Sequence, residues 1–205
     1  EIRLSLVGSE MCIRDRYMVN GKTHTLKNGS VQTAADWVLH GQTAYVNLLP
    51  QAEYRIACDT ALFSLNTNHG IRPQRGEYAY VVRPGISTVS TVAKYAADLP
   101  IKILANTEKI QAARHEKLGI TGIIFYQPGE LRLENGDILA TDTPCALLWK
   151  EKEEKIHAAN PRCESKNPEK ITITLTQSGQ TKQISLEMPQ KEEAGKSCTP
   201  PLYRN

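Results

Sequence analysis

Lys170 to Glu187 reads KITITLTQSGQTKQISLE, and within it Ile171 to Thr176 alternates an apolar face with a hydroxylated one. Successive side chains of a strand point to opposite faces, so this spacing predicts a half-buried strand of a sandwich and not a helix. Ser178-Gly179 follows as turn chemistry, and Lys182 to Glu187 returns as a second strand.

The same grammar extends outward in both directions. Asn20-Gly21, Asn28-Gly29, His40-Gly41 and Asn135-Gly136 punctuate short segments rich in β-branched and aromatic residues. Strands are expected at Trp37 to His40, Thr43 to Leu48, Tyr54 to Cys58, Ala61 to Leu65 and Tyr78 to Val82. Further ones are expected at Ile101 to Leu104, Ile120 to Tyr126, Leu131 to Leu133 and Cys145 to Lys150. Asn135-Gly136, between LRLE and DILA, is the strongest hairpin signal, because a two-residue turn with positive φ at both positions favours Asn then Gly. Ser87 to Asp98, STVSTVAKYAAD, breaks the pattern: Ser and Thr stand in capping position and Val92, Tyr95 and Ala96 share a helical face. Leu99-Pro100 stops that helix, since the residue before proline avoids the α region. The class predicted is all-β with one short helix between two β portions. Glu151 to Lys155, EKEEK, reads as a solvated strand end or turn.

Composition narrows function by exclusion. A chain of 205 residues and 22.8 kDa can bury a real core. With 40% hydrophobic and 23% charged residues it fits neither a collagen-like nor a disordered class. It has no apolar run near the ~18 residues that a membrane helix needs. Lys+Arg 25 against Asp+Glu 22, without a basic block, argues against nucleic acid as a partner. No His, Cys, Asp or Glu spacing matches a zinc site, and Asn135-Gly136-Asp137 lacks the loop of an EF-hand, so neither metal nor cofactor is expected.

Glu1 to Arg16, EIRLSLVGSEMCIRDR, has no start methionine, and its apolar run is too short for a signal-peptide core. It resembles the translated tail of a sequencing adaptor, so residues 1–16 are expected to pack poorly and to contribute no core side chain. The alternative is an ordinary strand from Ile2 to Val7, which the alternation of Ile2, Leu4 and Leu6 permits.

Ile103 to Phe125, ILANTEKIQAARHEKLGITGIIF, resembles the start of the C-terminal domain of polysaccharide lyase family 8. His69-Gly70, Tyr78-Ala79-Tyr80 and Pro84-Gly85 are similar to that family's HG, YAY and PG pattern near the end of its central β-supersandwich. Trp37, His40 and Tyr45 in DWVLHGQTAYVNL resemble an earlier strand pair, and Asn160-Pro161 and Gly195-Lys196-Ser197 resemble closing segments. Between Tyr45 and His69 the family's longer segment, with a Gly-Ser-Trp and an Ile-Asn pair, is missing, which leaves the substrate subclass open. The resemblance implies the end of a supersandwich over 17–98, a small antiparallel β-sandwich over 101–198 and a tail at 199–205.

Family members cleave uronic-acid polysaccharides by β-elimination: a base takes the C5 proton, an amide or guanidinium neutralises the carboxylate, and an acid protonates the leaving oxygen. The resemblance places those groups mainly on an N-terminal helical toroid that no segment here matches, so no catalytic residue is assigned. It also implies an extracellular or periplasmic location, a monomer, and a polysaccharide met through that catalytic domain. The alternative is a free-standing carbohydrate-binding β-sandwich module.

Carbohydrate-contact candidates are Trp37, His40, Tyr45 and His69. Aromatics, with Tyr78 and Tyr80 among them, can stack on sugar rings, although strand alternation favours core packing for Trp37, Tyr45, Tyr78 and Tyr80 alike. Trp149 is expected in a core. Cys58 and Cys145 read as buried strand thiols, while Cys163 and Cys198, in polar loops, form a candidate disulfide that an exported protein could carry.

Overall fold

The computed structural model describes residues 2–4, 16–49, 52–59, 62–74, 76–160 and 170–199. The chain divides into two compact units, Glu1–Leu99 and Pro100–Asn205. The first contains β1 (Ile2–Leu4), β2 (Arg16–Val19), β3 (Lys22–Thr25), β4 (Gly29–Ala34), β5 (Trp37–His40), β6 (Thr43–Asn47), β7 (Glu53–Cys58), β8 (Phe63–Thr67), β9 (Tyr80–Pro84) and helix α1 (Val89–Ala97). Two antiparallel sheets result, ordered β1-β8-β7-β4 and β3-β2-β5-β6-β9. β1 lies at the edge of its sheet, with Ile2 opposite Leu65 and Leu4 opposite Phe63.

The second sheet is covered on both faces, which explains why β5 is buried along its whole length. Val38 and Tyr45 face the first sheet, in a core with Tyr17, Tyr54, Ile56 and Phe63. Trp37, Leu39, Ala44 and Val46 face the other way, onto Ile86 and Val92. Helix α1 supplies Val92, fully buried, with Tyr95 and Ala96 packed beside it, so the helical face expected from the sequence is the one that docks. Thr88 caps the helix, its hydroxyl accepting from the Thr91 N–H at 3.3 Å, and the Asp98 N–H donates to the Lys94 carbonyl before Leu99-Pro100.

The second unit contains β10 (Ile101–Asn106), β11 (Ile110–His115), β12 (Ile120–Phe125), β13 (Gly129–Arg132), β14 (Ile138–Thr141), β15 (Cys145–Lys150), β16 (Lys155–Ala159), β17 (Lys170–Gln177) and β18 (Gln180–Glu187). A five-stranded sheet, β10-β11-β12-β15-β16, and a four-stranded sheet, β13-β14-β17-β18, enclose one core. Ile171, Ile173 and Leu175 of β17 point into it in strict alternation, together with Ile123, Phe125, Leu139, Ile156 and the expected Trp149. Glu151–Glu153 is a single 3-10 turn, closed by Glu154 at φ +50°.

The turns divide by chemistry. Asn20-Gly21 (φ +48°, +86°) and Ser178-Gly179 (φ +49°, +80°) are two-residue hairpin loops with both central residues left-handed, linking Val19 to Lys22 and Gln177 to Gln180. Asn135-Gly136 departs from expectation, because only Gly136 of the pair is left-handed, at φ +89°. The Leu133 N–H donates to the Asp137 carbonyl at 2.8 Å and the Gly136 N–H to the Leu133 carbonyl at 3.0 Å, making a three-residue loop. Register explains the choice: this loop sets Leu131 opposite the buried Leu139, whereas a two-residue loop would set it opposite Ala140 and move one leucine to the outer face. Asn135 is used instead as a brace, its Oδ1 accepting from the Asp137 N–H at 3.1 Å and its Nδ2 donating to the Asp137 carboxylate at 2.9 Å.

Candidate functional site

The four carbohydrate-contact candidates separate in the structure. Trp37, 7% exposed, packs on the helix side of its sheet, and Tyr45, 5% exposed, packs on the opposite side, where burial pushes its hydroxyl pKa up. His40, 8% exposed, lies flat on Phe63 with ring centroids 3.8 Å apart. These three rings are therefore engaged in packing, in a sheet covered on both faces. His69 alone of the four is exposed.

His69 does not stand alone. Its ring centroid is 6.2 Å from that of Tyr78, and Tyr78 is in turn 6.2 Å from Tyr80, with interplanar angles of 44° and 25°. Tyr78 is 60% exposed. Strand alternation favoured packing for Tyr78, but β9 begins at Tyr80, so residues 76–79 precede the strand and Tyr78 is not held to its pleat. The signal available in the sequence was the turn chemistry before it, His69-Gly70 through Gly76, which marks the segment as a surface loop.

Local hydrogen bonds fix this row. Asn68 donates its N–H to the Glu53 carbonyl at 2.8 Å, anchoring the loop to β7, and its Oδ1 accepts from the Gly70 N–H at 3.1 Å. Gly70 takes φ +77°, and Gly76 lies so close beneath the His69 ring that a Cβ there would meet it at 3.1 Å. On the other side the Leu48 N–H donates to the Ala79 carbonyl at 2.9 Å, and Tyr80 pairs with Asn47. Asn68, half-buried, and Arg72 and Glu77, both exposed, are polar residues of the same loop.

A second concavity, about 160 Å³, lies in the sandwich of the second unit and is lined by Leu104, Arg114, Glu116, Leu133, Glu134 and Asn135. Its charges are already paired. Both terminal nitrogens of the Arg114 guanidinium meet the Glu151 carboxylate, Nη2 to Oε2 at 2.8 Å, and Glu116 lies 3.5 Å from Arg114 Nε. Lys102 pairs with Glu134 at the rim. The arrangement ties β11 to the 3-10 turn after β15 and leaves no cation unmatched for a substrate carboxylate. Among the described residues no group of three or more His, Cys, Asp or Glu could hold a metal ion.

Of the cysteines, Cys145 is buried, and its thiol donates to the Thr141 hydroxyl at 3.6 Å. Cys198 donates to the Ala158 carbonyl at 3.5 Å, where an isolated bridge joins Cys198 to β16. Its expected disulfide partner, Cys163, lies outside the described residues.

Comparison with known proteins agrees with this architecture. Residues 102–169 match the model of the polysaccharide lyase family 8 C-terminal beta-sandwich domain. Chondroitinase-AC of Pedobacter heparinus is 39% identical over 136 residues, covering 65% of this chain and 19% of the relative. A hyaluronate lyase of Thermasporomyces composti is 35% identical over 81 residues, 40% of this chain and 10% of the relative. The solved structure of chondroitinase AC lyase superposes with a TM-score of 0.77 at 27% identity, covering 90% of this chain and 30% of that one. The chain thus spans about a fifth or less of the length of these curated relatives.

Proposed function

We propose that this chain, which carries the C-terminal region of polysaccharide lyase family 8, is the β-sheet scaffold of an enzyme that cleaves uronic-acid-containing polysaccharides by β-elimination. The observation that supports this best is the two-unit β architecture, which follows a chondroitinase AC lyase over 90% of the chain. In this reading the scaffold binds and orients, and the proton-transferring groups stand on a helical toroid outside this sequence. The cleft around Arg114 fits that division of labour, since its guanidinium is committed to Glu151 and not offered to a uronate. The enzyme acts outside the cytoplasm, where its polymeric substrate is found; no helix among the described residues is long and apolar enough to cross a membrane.

Two measurements test the proposal. Incubated with chondroitin, hyaluronan, alginate or xanthan, the 205-residue chain is expected to release no unsaturated uronate; ultraviolet-absorbing product would place an active site within it. Genomic sequence upstream of Tyr17 is expected to encode a helical domain whose joined protein does release that product. A start codon and signal peptide directly before Tyr17 would instead support a free-standing binding module.

A further inference from the structure

We propose that the surface row His69, Tyr78 and Tyr80 is a stacking platform for the sugar rings of an anionic polysaccharide, with Arg72 of the same loop as its cation. The polysaccharide class rests on the function proposed above; the platform itself rests on geometry.

Tyr78 leaves more than half of its surface in water although the unit has two cores that hold other tyrosines, so its ring remains available to a partner. The centroid steps of 6.2 Å are of the order of one pyranose ring, and His69 and Tyr78 are exposed with Tyr80 half-buried beside them, so consecutive sugars of a chain can meet the exposed pair. The row is also built before any ligand arrives. Asn68 anchors its loop, the His69 ring rests against the Gly76 backbone, and Tyr80 is set by strand pairing. Binding therefore costs little ordering of the protein.

The surroundings favour a sugar over a protein surface. A protein interface has an extended apolar centre. Here the rings share their loop with half-buried Asn68 and exposed Arg72, Gln74 and Glu77, and the one large aliphatic in the loop is Ile71, 95% exposed. A pyranose presents C–H faces to stack and hydroxyls to bond at the edge, which suits rings that share a loop with polar residues. Arg72 can meet a uronate carboxylate through paired N–H groups, a geometry that a neutral glycan does not reward.

The test uses the full chain, with chondroitin and hyaluronan oligosaccharides as probes and maltooligosaccharide as the neutral control, read by titration calorimetry or chemical-shift perturbation. Tyr78→Ala is expected to weaken binding of the anionic oligosaccharides about tenfold, while Tyr78→Phe, which keeps the ring, stays within about twofold. Arg72→Ala is expected to remove the preference for anionic over neutral probes. Thermal unfolding of Tyr78→Ala should match the parent, so a loss of binding would not reflect misfolding. Absence of binding by the parent chain, undiminished binding by Tyr78→Ala, or a change in self-association as the main effect of Tyr78→Ala would each overturn the platform. None of these outcomes alters the lyase reading, which the upstream sequence and the product assay decide.

Discussion

His40 and Phe63 lie face to face, with ring centroids 3.8 Å apart and planes 3° from parallel, joining the last residue of β5 to the first of β8 across two sheets. Tyr17 meets the same phenyl ring at 5.9 Å. Phe63→Ala therefore removes the central member of an inter-sheet stack and is expected to cost about 3–5 kcal/mol, measured as a shift in urea midpoint. A double-mutant cycle of His40→Ala with Phe63→Ala is expected to give a coupling of about 0.5–1.5 kcal/mol. Additive effects would mean that the two rings are merely adjacent.

Asn20 has two tasks that a single substitution can separate. It occupies φ +48°, and its Oδ1 accepts from the Asp36 and Trp37 N–H groups at 3.0 and 3.1 Å, closing the hairpin onto β5. Asn20→Gly keeps the left-handed backbone and loses the acceptor, whereas Asn20→Ala loses both. The expectation is a loss of roughly 1–2 kcal/mol for glycine and about 1 kcal/mol more for alanine. Equal losses would show that the backbone conformation contributes nothing there.

The regular core strands are legible in the sequence because burial of one face imposes period two. Ile171, Ile173 and Leu175 give β17 away, as Tyr54, Ile56 and Cys58 give away β7. Among the strands missed, β2 (RYMV) and β16 (KIHAA) do alternate in burial but are only four and five residues long, and others lack that constraint altogether. β3 (KTHT) is exposed at every position and β4 (GSVQTA) at all but one, so edge pairing and not side-chain burial makes them strands. In β11, IQAARH, the inward positions hold Ile110, Ala112 and Arg114, whose guanidinium is spent on Glu151, so only the first of them carries a strand signal. The same limit applied to the surface row. His69 was legible as a loop residue, but that Tyr78 sits outside the pleat depends on where β9 starts, which pairing with β6 decides.

Tyr54 gives the first unit a pH dependence whose sign can be stated. Burial, with a smaller contribution from nearby Tyr80, pushes its hydroxyl from 10.0 up to about 12. The folded state thus holds the proton more tightly than the unfolded chain. The resulting stability is fully present below pH 10.0 and is lost as pH rises through about 12. Burial raises Tyr17 and Tyr45 in the same direction. The denaturation midpoint of the parent is expected to fall across that window, and Tyr54→Phe, which retains the ring, should fall less steeply. A parallel fall in both proteins would assign the effect elsewhere.

The two units invite separate expression. Residues 101–198 hold one continuous core enclosed by two sheets, with Ile123, Phe125, Leu139, Ile156, Ile171 and Ile173 all essentially inaccessible to water. About 100 residues around a core of this kind lies within the usual range of an independent domain. We expect a single cooperative unfolding transition from this half. In residues 17–98 the apolar faces are covered within the unit itself. β5 and β6 are covered on one side by the β8-β7-β4 layer and on the other by α1. The outward positions of that layer are Ser30 and Gln32 on β4, Arg55 and Ala57 on β7 and Ser64 and Asn66 on β8, alternating with the inward Ile56 and Phe63 and mostly polar. The edges at β3, β4, β9 and, with β1 absent from this half, β8 are open to pairing, with Lys22, His24, Gln32 and Arg83 among the polar side chains that blunt the first three. The first half is therefore expected to be soluble and to unfold cooperatively, but at a lower denaturant midpoint than the second. Precipitation at micromolar concentration, or a broad non-cooperative melt, would show that its two cores do not suffice without the other unit.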